Sequence, residues 1–456
     1  MRARRPLTSL LAVKTQRSRL GSALMTTLVS LGGALLLLAA IELALGIVPI
    51  SHHFVVGQVQ KDMPTWMVAD PNLTVTLGTM GEARNPTDRT AQQAALDLWD
   101  AFEQDLEFHD RLKPNLHRRV FNFFSRASIE RGETWTLDTN ALGYRGRELT
   151  VPKVPGVTRV VCLGGSTTYG WGVEPNETFA SFLQNLLDQR VPGKFAVFNL
   201  GSPGYTSFQG RLLMERMIAY RPDVVVCNFG NNDQGRVALE EKEIYRRHHT
   251  IPGRLALSLS RFRLFQLLQA VSLHFSRPYR HVDERRLRAR VSREDYRENL
   301  RYITDIAKGI GCSVYFLVLG REASADAVDP YAGIMRALAH DVDVPLIDFP
   351  EVAGSMWRRL EEDGKVPAHV RANGEVLRAE QVEGNPQTAF QVDEAGHPSR
   401  LGHLLIAGRI ARLLTPGEES PTERPTGLQS GTGPTELFGP RRARAPAATG
   451  RPPEPR

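Results

Sequence analysis

Cysteine is scarce in this sequence, because 456 residues contain only Cys162, Cys227 and Cys312. An odd number without paired spacing argues against a disulfide framework and against a zinc site. Each cysteine lies in or beside an apolar run typical of a strand, so we expect buried, unreactive thiols. The histidine pair His248-His249 has no matching partners in the sequence. We therefore expect neither a metal nor a cofactor.

Acidic residues are missing from residues 1–19, and charges of either sign are missing from Leu20–Ile41. At 1.5 Å per residue, that second stretch is long enough as a helix to cross the ~30 Å core of a bilayer. The six basic residues before it predict a cytoplasmic N-terminus and an extracytoplasmic remainder, as in a single-pass inner-membrane protein. A cleaved signal peptide is the alternative, but its apolar core usually spans only ~7–15 residues. We predict a retained transmembrane anchor over residues 20–48.

The positive charge is concentrated in the N-terminus and in residues 235–295, with a small excess in the C-terminal tail. We interpret this charge as serving to bind a membrane surface and to keep the chain solvated, and we expect no nucleic-acid partner. Within the basic insertion 235–295, Leu255–His274 has apolar residues at helical spacing. Such a helix could lie on anionic lipid, cover an active site as a lid, or pack on the domain with a solvated arginine face. The tail 416–456 is poor in apolar residues and is predicted to be disordered.

Strand-like and helix-like segments alternate through residues 151–415, which we predict to be one domain. Parallel strands joined by helices imply a three-layer α/β/α sandwich with right-handed crossovers. Residues 49–150 are predicted to be an extracytoplasmic stem and lead-in, with a helix near Ala91–Phe108 and no catalytic group in Asn140–Gly146. Residues 351–392 are predicted to be a polar connection. The predicted strands are Val160–Leu163, Phe195–Leu200, Val224–Phe229, Cys312–Leu319 and Val342–Phe349, and the predicted helices are Phe179–Arg190, Tyr296–Ile310, Tyr331–Ala339 and Arg400–Leu414.

Four polar motifs occur in a fixed order along this domain, and three of them directly follow predicted strands. Open parallel sheets bind ligands at the carboxyl ends of their strands, so these motifs are expected to meet at one edge. The motifs are Gly164-Gly-Ser166-Thr-Thr, Asn199-Leu-Gly-Ser-Pro-Gly204-Tyr-Thr-Ser207, Gly230-Asn-Asn232-Asp233 and Asp393-Glu-Ala-Gly-His397-Pro.

Together the motifs resemble the SGNH (GDSL-type) hydrolase family, which supplies Ser, Gly, Asn and His in this order. The resemblance implies a flavodoxin-like parallel sheet, with Ser166 as nucleophile and His397 as its base. It also implies an oxyanion hole made by the Ser166 N–H, the Gly204 N–H and the Asn232 side chain. Gly201 and Asn231 are the alternatives in the second and third motifs.

The sequence departs from the family pattern at two positions. The family's acid typically stands three residues before the histidine, where this chain has Glu394. We favour Asp393, one residue earlier, because Asp is the commoner partner and a slightly longer loop could bring it to the ring. Glu394 remains the alternative acid. The motif that names the family has Asp at the position of Gly165. The loop that carries Ser166 therefore lacks one polar side chain that would hold it in place.

The resemblance implies a serine esterase that acts on an acyl ester. The predicted extracytoplasmic location suggests an ester of the cell envelope, such as an O-acetylated glycan or a lipid. An O-acyltransferase of the same fold, acting on envelope polysaccharide, is the first alternative. A catalytically inactive binding domain is the second. Covalent labelling of Ser166 by a fluorophosphonate distinguishes an enzyme from a binding domain.

Overall fold

The computed structural model describes residues 7–47, 90, 98, 100–237, 239–259, 262–265, 268, 287–320, 329–372, 375–382, 385–393 and 395–417. In the first helix, side chains are described over residues 25–45. The chain divides into two compact units, one of residues 1–61 and 251–280 and one of residues 62–250 and 281–456. The predicted tail lies outside the described residues from 418 onward.

The first unit contains one long apolar helix, α1, at Leu7–Ile47. Its stretch Met25–Leu45 is long and apolar enough to cross a membrane, and its large apolar side chains are exposed. This confirms the prediction of one N-terminal apolar helix, a few residues further along the chain. Part of the basic insertion contacts this helix, because the Glu42 carboxylate accepts hydrogen bonds from the backbone N–H groups of Arg263 (2.7 Å) and Leu264 (3.0 Å).

The second unit begins with two hairpins that precede the central sheet. They comprise β1 (Phe102–Asp105) with β2 (His109–Leu112), and β3 (His117–Phe121) with β4 (Thr134–Asp138), the latter pair joined through α2 (Arg126–Glu130). The predicted helix near Ala91–Phe108 is therefore wrong from Phe102 onward. The Asp105 side chain accepts hydrogen bonds from the N–H groups of Glu107 and Phe108 and so makes a turn where a helix would continue.

Strands and helices then alternate. The first elements are β5 (Thr158–Gly164), α3 (Ser166–Tyr169), α4 (Phe179–Arg190), β6 (Phe195–Gly201), α5 (Ser207–Met217), β7 (Val224–Asn228), β8 (Arg236–Val237), α6 (Glu241–His248) and, in the first unit, α7 (Ile251–Leu259). The remaining elements are β9 (Arg288–Ala289), α8 (Arg293–Gly309), β10 (Ser313–Val318), α9 (Pro330–Asp341), β11 (Leu346–Asp348), α10 (Phe349–Glu362), β12 (His369–Ala372), β13 (Glu375–Arg378) and α11 (Arg400–Leu414).

The central sheet is parallel and has the strand order β11-β10-β7-β5-β6. Counted within the sheet, this is the flavodoxin-like order 2-1-3-4-5, and its switch point lies between β5 and β7. Side chains of each strand alternate between the two faces. Thus Val161 and Leu163 pack with α5, α8 and α9, whereas Val160 and Cys162 pack with α4, α10 and α11. The predicted three-layer α/β/α fold is confirmed.

Helix α10 corrects the prediction that residues 351–392 are only a polar connection. Its buried side chains Phe349, Ala353 and Trp357 recur at four-residue spacing and pack on the sheet. Pro350, Gly354 and the charged residues from Arg358 onward concealed this stripe in the sequence. The three cysteines are free and buried, and burial raises the pKa of the Cys162 and Cys227 thiols.

Candidate active site

Ser166 is the first residue of α3 and follows the carboxyl end of β5. The buried run Val160–Leu163 suits the place of this strand inside the sheet, between β6 and β7. Gly165 takes an irregular backbone conformation (φ −88°, ψ −147°) that turns the chain from strand to helix. The serine hydroxyl therefore lies at the switch point, where parallel sheets bind ligands.

His397 and Asp393 lie on the loop before α11, which the Ser399 side chain caps. The Nε2 atom of His397 is 2.8 Å from the Ser166 hydroxyl oxygen, and its Nδ1 atom is 2.9 Å from each Asp393 carboxylate oxygen. Asp393 is completely buried, and its Oδ1 atom also accepts the His397 backbone N–H at 3.3 Å. The structure thus brings together three residues that the sequence predicts to meet. The alternative acid, Glu394, lies outside the described residues.

The second and third motifs meet beside Ser166. The Asn232 side chain donates a hydrogen bond from Nδ2 to the Tyr205 carbonyl oxygen at 2.9 Å, which ties the two motifs together. Gly204 precedes Tyr205 and has a left-handed φ of +83°. Gly201, the alternative, lies in β6, and its N–H donates to Asn199 Oδ1. Because that amide already has a partner, Gly204 is the better candidate for an oxyanion donor.

Two buried carboxylates that the sequence analysis did not interpret hold these loops. The Asp233 side chain accepts hydrogen bonds from the Gly230 N–H and from the N–H and hydroxyl of Ser207. Burial raises the pKa of Asp233 to about 6, although these hydrogen bonds oppose the rise. The signal for this residue was its place directly after Asn232 in the third motif.

The second buried carboxylate, Glu241, belongs to α6 in the basic insertion. It pairs with Arg290, which in turn donates from Nη1 to the Gly204 carbonyl oxygen at 2.9 Å. Burial disfavours the charge of Glu241, but Arg290 and His109 outweigh this effect and lower its pKa to about 2. No sequence signal links these residues to the second motif, because they belong to separate segments of the chain.

Aromatic side chains surround His397. The rings of Phe124 and Trp171 lie with their centroids 5.5 Å and 5.8 Å from the imidazole. Trp171 follows the serine motif, but Phe124 comes from the lead-in, in which we predicted no site residue from the sequence. The lead-in is therefore part of the environment of the histidine.

A cavity of about 240 Å³ opens beside the serine. Its lining includes Ser166, Tyr205, Phe229, Asn231 and Asn232. Among the described residues, no group of three or more His, Cys, Asp or Glu side chains is placed to hold a metal ion. The arrangement of a serine hydroxyl, an imidazole, a buried carboxylate and nearby amide donors suits nucleophilic acyl transfer.

Residues 162–405, more than half of the chain, match the GDSL-like lipase/acylhydrolase family. Among solved structures, the acetylxylan esterase Axe2 of Geobacillus stearothermophilus is 16% identical over 59% of this chain and 100% of its own, with a TM-score of 0.35. A GDSL-like lipase of Bacteroides thetaiotaomicron is 16% identical over 58% of this chain and 91% of its own, with a TM-score of 0.31. Comparison with curated proteins gave no match. By the family match and its serine motif, this chain belongs to the GDSL-like lipase/acylhydrolase family and is a serine ester hydrolase.

Proposed function

We propose that the protein hydrolyses short-chain acyl esters by Ser-His-Asp catalysis. The observation that carries the proposal is the continuous hydrogen-bonded chain from the Ser166 hydroxyl through His397 to Asp393, with distances of 2.8 Å and 2.9 Å. A serine hydroxyl becomes a competent nucleophile when a base within this distance takes its proton. A buried carboxylate orients that base and stabilises it when it is protonated.

In the proposed mechanism the Ser166 oxygen attacks the ester carbonyl while His397 takes the hydroxyl proton. The negative charge that develops on the carbonyl oxygen is stabilised by the Ser166 N–H, the Gly204 N–H and the Asn232 amide, each worth about 2.7–4 kcal/mol. When the tetrahedral intermediate collapses, the alcohol leaves with the proton that His397 carries. Water then attacks the acyl-enzyme and gives a proton to His397, which passes it to the Ser166 oxygen as the acid is released.

The space beside the serine is small, which supports a short acyl group. It measures about 240 Å³ with its part open to solvent included, so the enclosed part is smaller still. The apolar side chains of Tyr205 and Phe229 suit the carbon end of an acetyl or similar group. An O-acetylated glycan of the envelope is the substrate that fits this acyl group and an extracytoplasmic location.

The test uses the full chain in detergent, with p-nitrophenyl acetate and octanoate as substrates and a fluorophosphonate probe. We expect labelling of the wild type, its loss in Ser166→Ala, and a higher kcat/KM for acetate. Absence of labelling in the wild type would contradict serine catalysis, and preference for octanoate would contradict the short acyl chain. Acetyl transfer to an added xylo-oligosaccharide in preference to water would favour the O-acyltransferase alternative.

We further propose that α1 anchors the enzyme in the inner membrane with the catalytic unit in the periplasm. The exposed apolar stretch Met25–Leu45 and the basic residues before it support this topology. Protease added to intact spheroplasts should digest the catalytic unit. Protection from the protease until the membrane is lysed would contradict the orientation.

A further inference from the structure

Asn122 makes a side-chain hydrogen bond to the buried acid of the site. This residue directly follows strand β3 in the lead-in, 271 positions before Asp393 in the chain. Its Nδ2 atom donates to Asp393 Oδ2 at 2.8 Å, and both side chains are buried. We named no site residue in the lead-in from the sequence, and the family match begins only at residue 162.

The orientation of the Asn122 amide is determined by its other partners. Its Oδ1 atom accepts hydrogen bonds from Trp171 Nε1 at 2.8 Å and from the Phe124 N–H at 3.1 Å. Both partners are donors only, so the oxygen must face them and the NH₂ group must face the carboxylate. Gly172 provides the room, because a Cβ atom there would lie 3.1 Å from Asn122 Nδ2 and 2.9 Å from Val392.

The hydrogen bond completes the surroundings of the acid. Asp393 Oδ1 faces the Nδ1 and backbone N–H of His397, whereas Oδ2 faces His397 Nδ1 and Asn122 Nδ2. Burying a carboxylate away from solvent is costly unless hydrogen-bond donors such as these surround it. The same bond limits rotation of the carboxylate, and hence the orientation of the imidazole toward Ser166.

We propose that Asn122 is a positioning residue of the catalytic site: it holds the Asp393 carboxylate oriented toward His397, so that the lead-in forms part of the catalytic unit. The inference rests on the Ser-His-Asp mechanism proposed above. Asn122 touches neither the serine nor the space for the ester, and it acts through Asp393 and His397.

The decisive variant is Asn122→Asp, which keeps the side-chain shape and an acceptor for Trp171 but removes the donor toward Asp393. A second carboxylate there also stabilises the protonated imidazole of His397. We expect kcat for p-nitrophenyl acetate to fall about 10- to 100-fold with little change in KM. The acid limb of the kcat/KM profile should move to higher pH by about 1 unit or more. Asn122→Ala should change both quantities in the same direction.

Asn140→Ala is the matched control from the same lead-in. The Asn140 side chain is buried, and its bonds within the described part of the chain are to backbone groups of its own loop, at Leu142, Tyr144 and Arg147. This variant should lower the melting temperature but leave the acid limb in place. If Asn122 had only a structural role, its variants would also lower the melting temperature and leave the acid limb in place, as Asn140→Ala does.

Two results would overturn the inference. The first is an Asn122→Asp protein with wild-type kcat and acid limb, while Ser166→Ala is inactive; the proposed function then stands alone. The second is a wild-type protein that neither hydrolyses the ester nor labels with the fluorophosphonate, which overturns the proposed function and the inference together.

Discussion

Gly165 and Asn232 are in direct contact across the switch point of the sheet. A Cβ atom built on Gly165 would lie only 2.5 Å from Asn232 Nδ2. Cβ atoms do not approach a non-bonded nitrogen to less than about 3.0 Å, so a side chain at 165 must displace the amide. Gly165, which stands where the family motif has Asp, therefore leaves room for the Asn232 side chain.

Gly165→Ala should consequently reduce catalysis through the displaced amide. If Asn232 is an oxyanion donor, its loss should lower kcat by about 10²- to 10³-fold. The measurement is steady-state hydrolysis of p-nitrophenyl acetate. Gly333→Ala is the matched control, because Gly333 lies in α9 and a Cβ atom there would meet nothing within 4 Å. Equal rates for the two variants would refute the steric argument.

Arg290→Met should destabilise the catalytic unit and impair the Gly204 loop. The arginine and Glu241 are only 3% and 1% exposed, so the variant leaves a buried carboxylate without its strongest partner. Breaking a buried pair in this way costs about 3–5 kcal/mol of the free energy of unfolding. Urea denaturation measures this cost, and the double variant Arg290→Met/Glu241→Gln should recover part of it.

The control for this ion pair is Arg297→Met. The pair of Arg297 with Asp341 (3.3 Å) is exposed, and such pairs contribute about 0–1 kcal/mol. If Arg290→Met costs no more than Arg297→Met, the buried network does not stabilise the unit.

His403 should make the unit sensitive to mild acid. Its Nδ1 atom accepts the Phe179 N–H at 3.1 Å, and burial lowers its pKa to about 3, with Arg145 and His397 adding to the effect. Because the folded-state pKa lies below the unfolded value of about 6.5, stability is greatest above pH 6.5. It declines as the pH falls from 6.5 toward 3, by about 2 kcal/mol between pH 6.5 and pH 5.

His403→Asn keeps an acceptor near the Nδ1 position but does not titrate. Its free energy of unfolding should depend less on pH over this interval than that of the wild type, as measured by urea denaturation at pH 8, 6.5 and 5. Parallel pH profiles for the two proteins would show that His403 is not the titrating group.

Local patterns predicted much of the central sheet and its helices. The bounds of α4 and α11 match the predicted helices, since their amphipathic stripes and caps are encoded within a few residues. The apolar run of β5 likewise predicted a buried strand. Strand β11 is shorter than predicted, and the short α3 that carries Ser166 was not predicted as a helix.

Segments whose structure depends on distant partners were predicted less well. The hairpin of β1 and β2 forms where the composition indicated a helix, because a side-chain turn at Asp105 competes with helical hydrogen bonds. Helix α10 buries its apolar stripe against a sheet that its own residues do not reveal. Likewise, the residues around Glu241 do not indicate its link to Gly204, because that link depends on distant parts of the chain.

The amino-acid sequence by itself determined the family, the order of the four polar motifs along the chain, and the apolar N-terminal helix. Each of these can be recognised from residues that are neighbours in the sequence. Only the tertiary structure decided which groups surround the reacting serine. Ser166 meets His397 across 231 positions, and Asn122 meets Asp393 across 271. Hydrogen bonds depend on distance and direction in space, and folding alone brings such remote side chains within 3 Å.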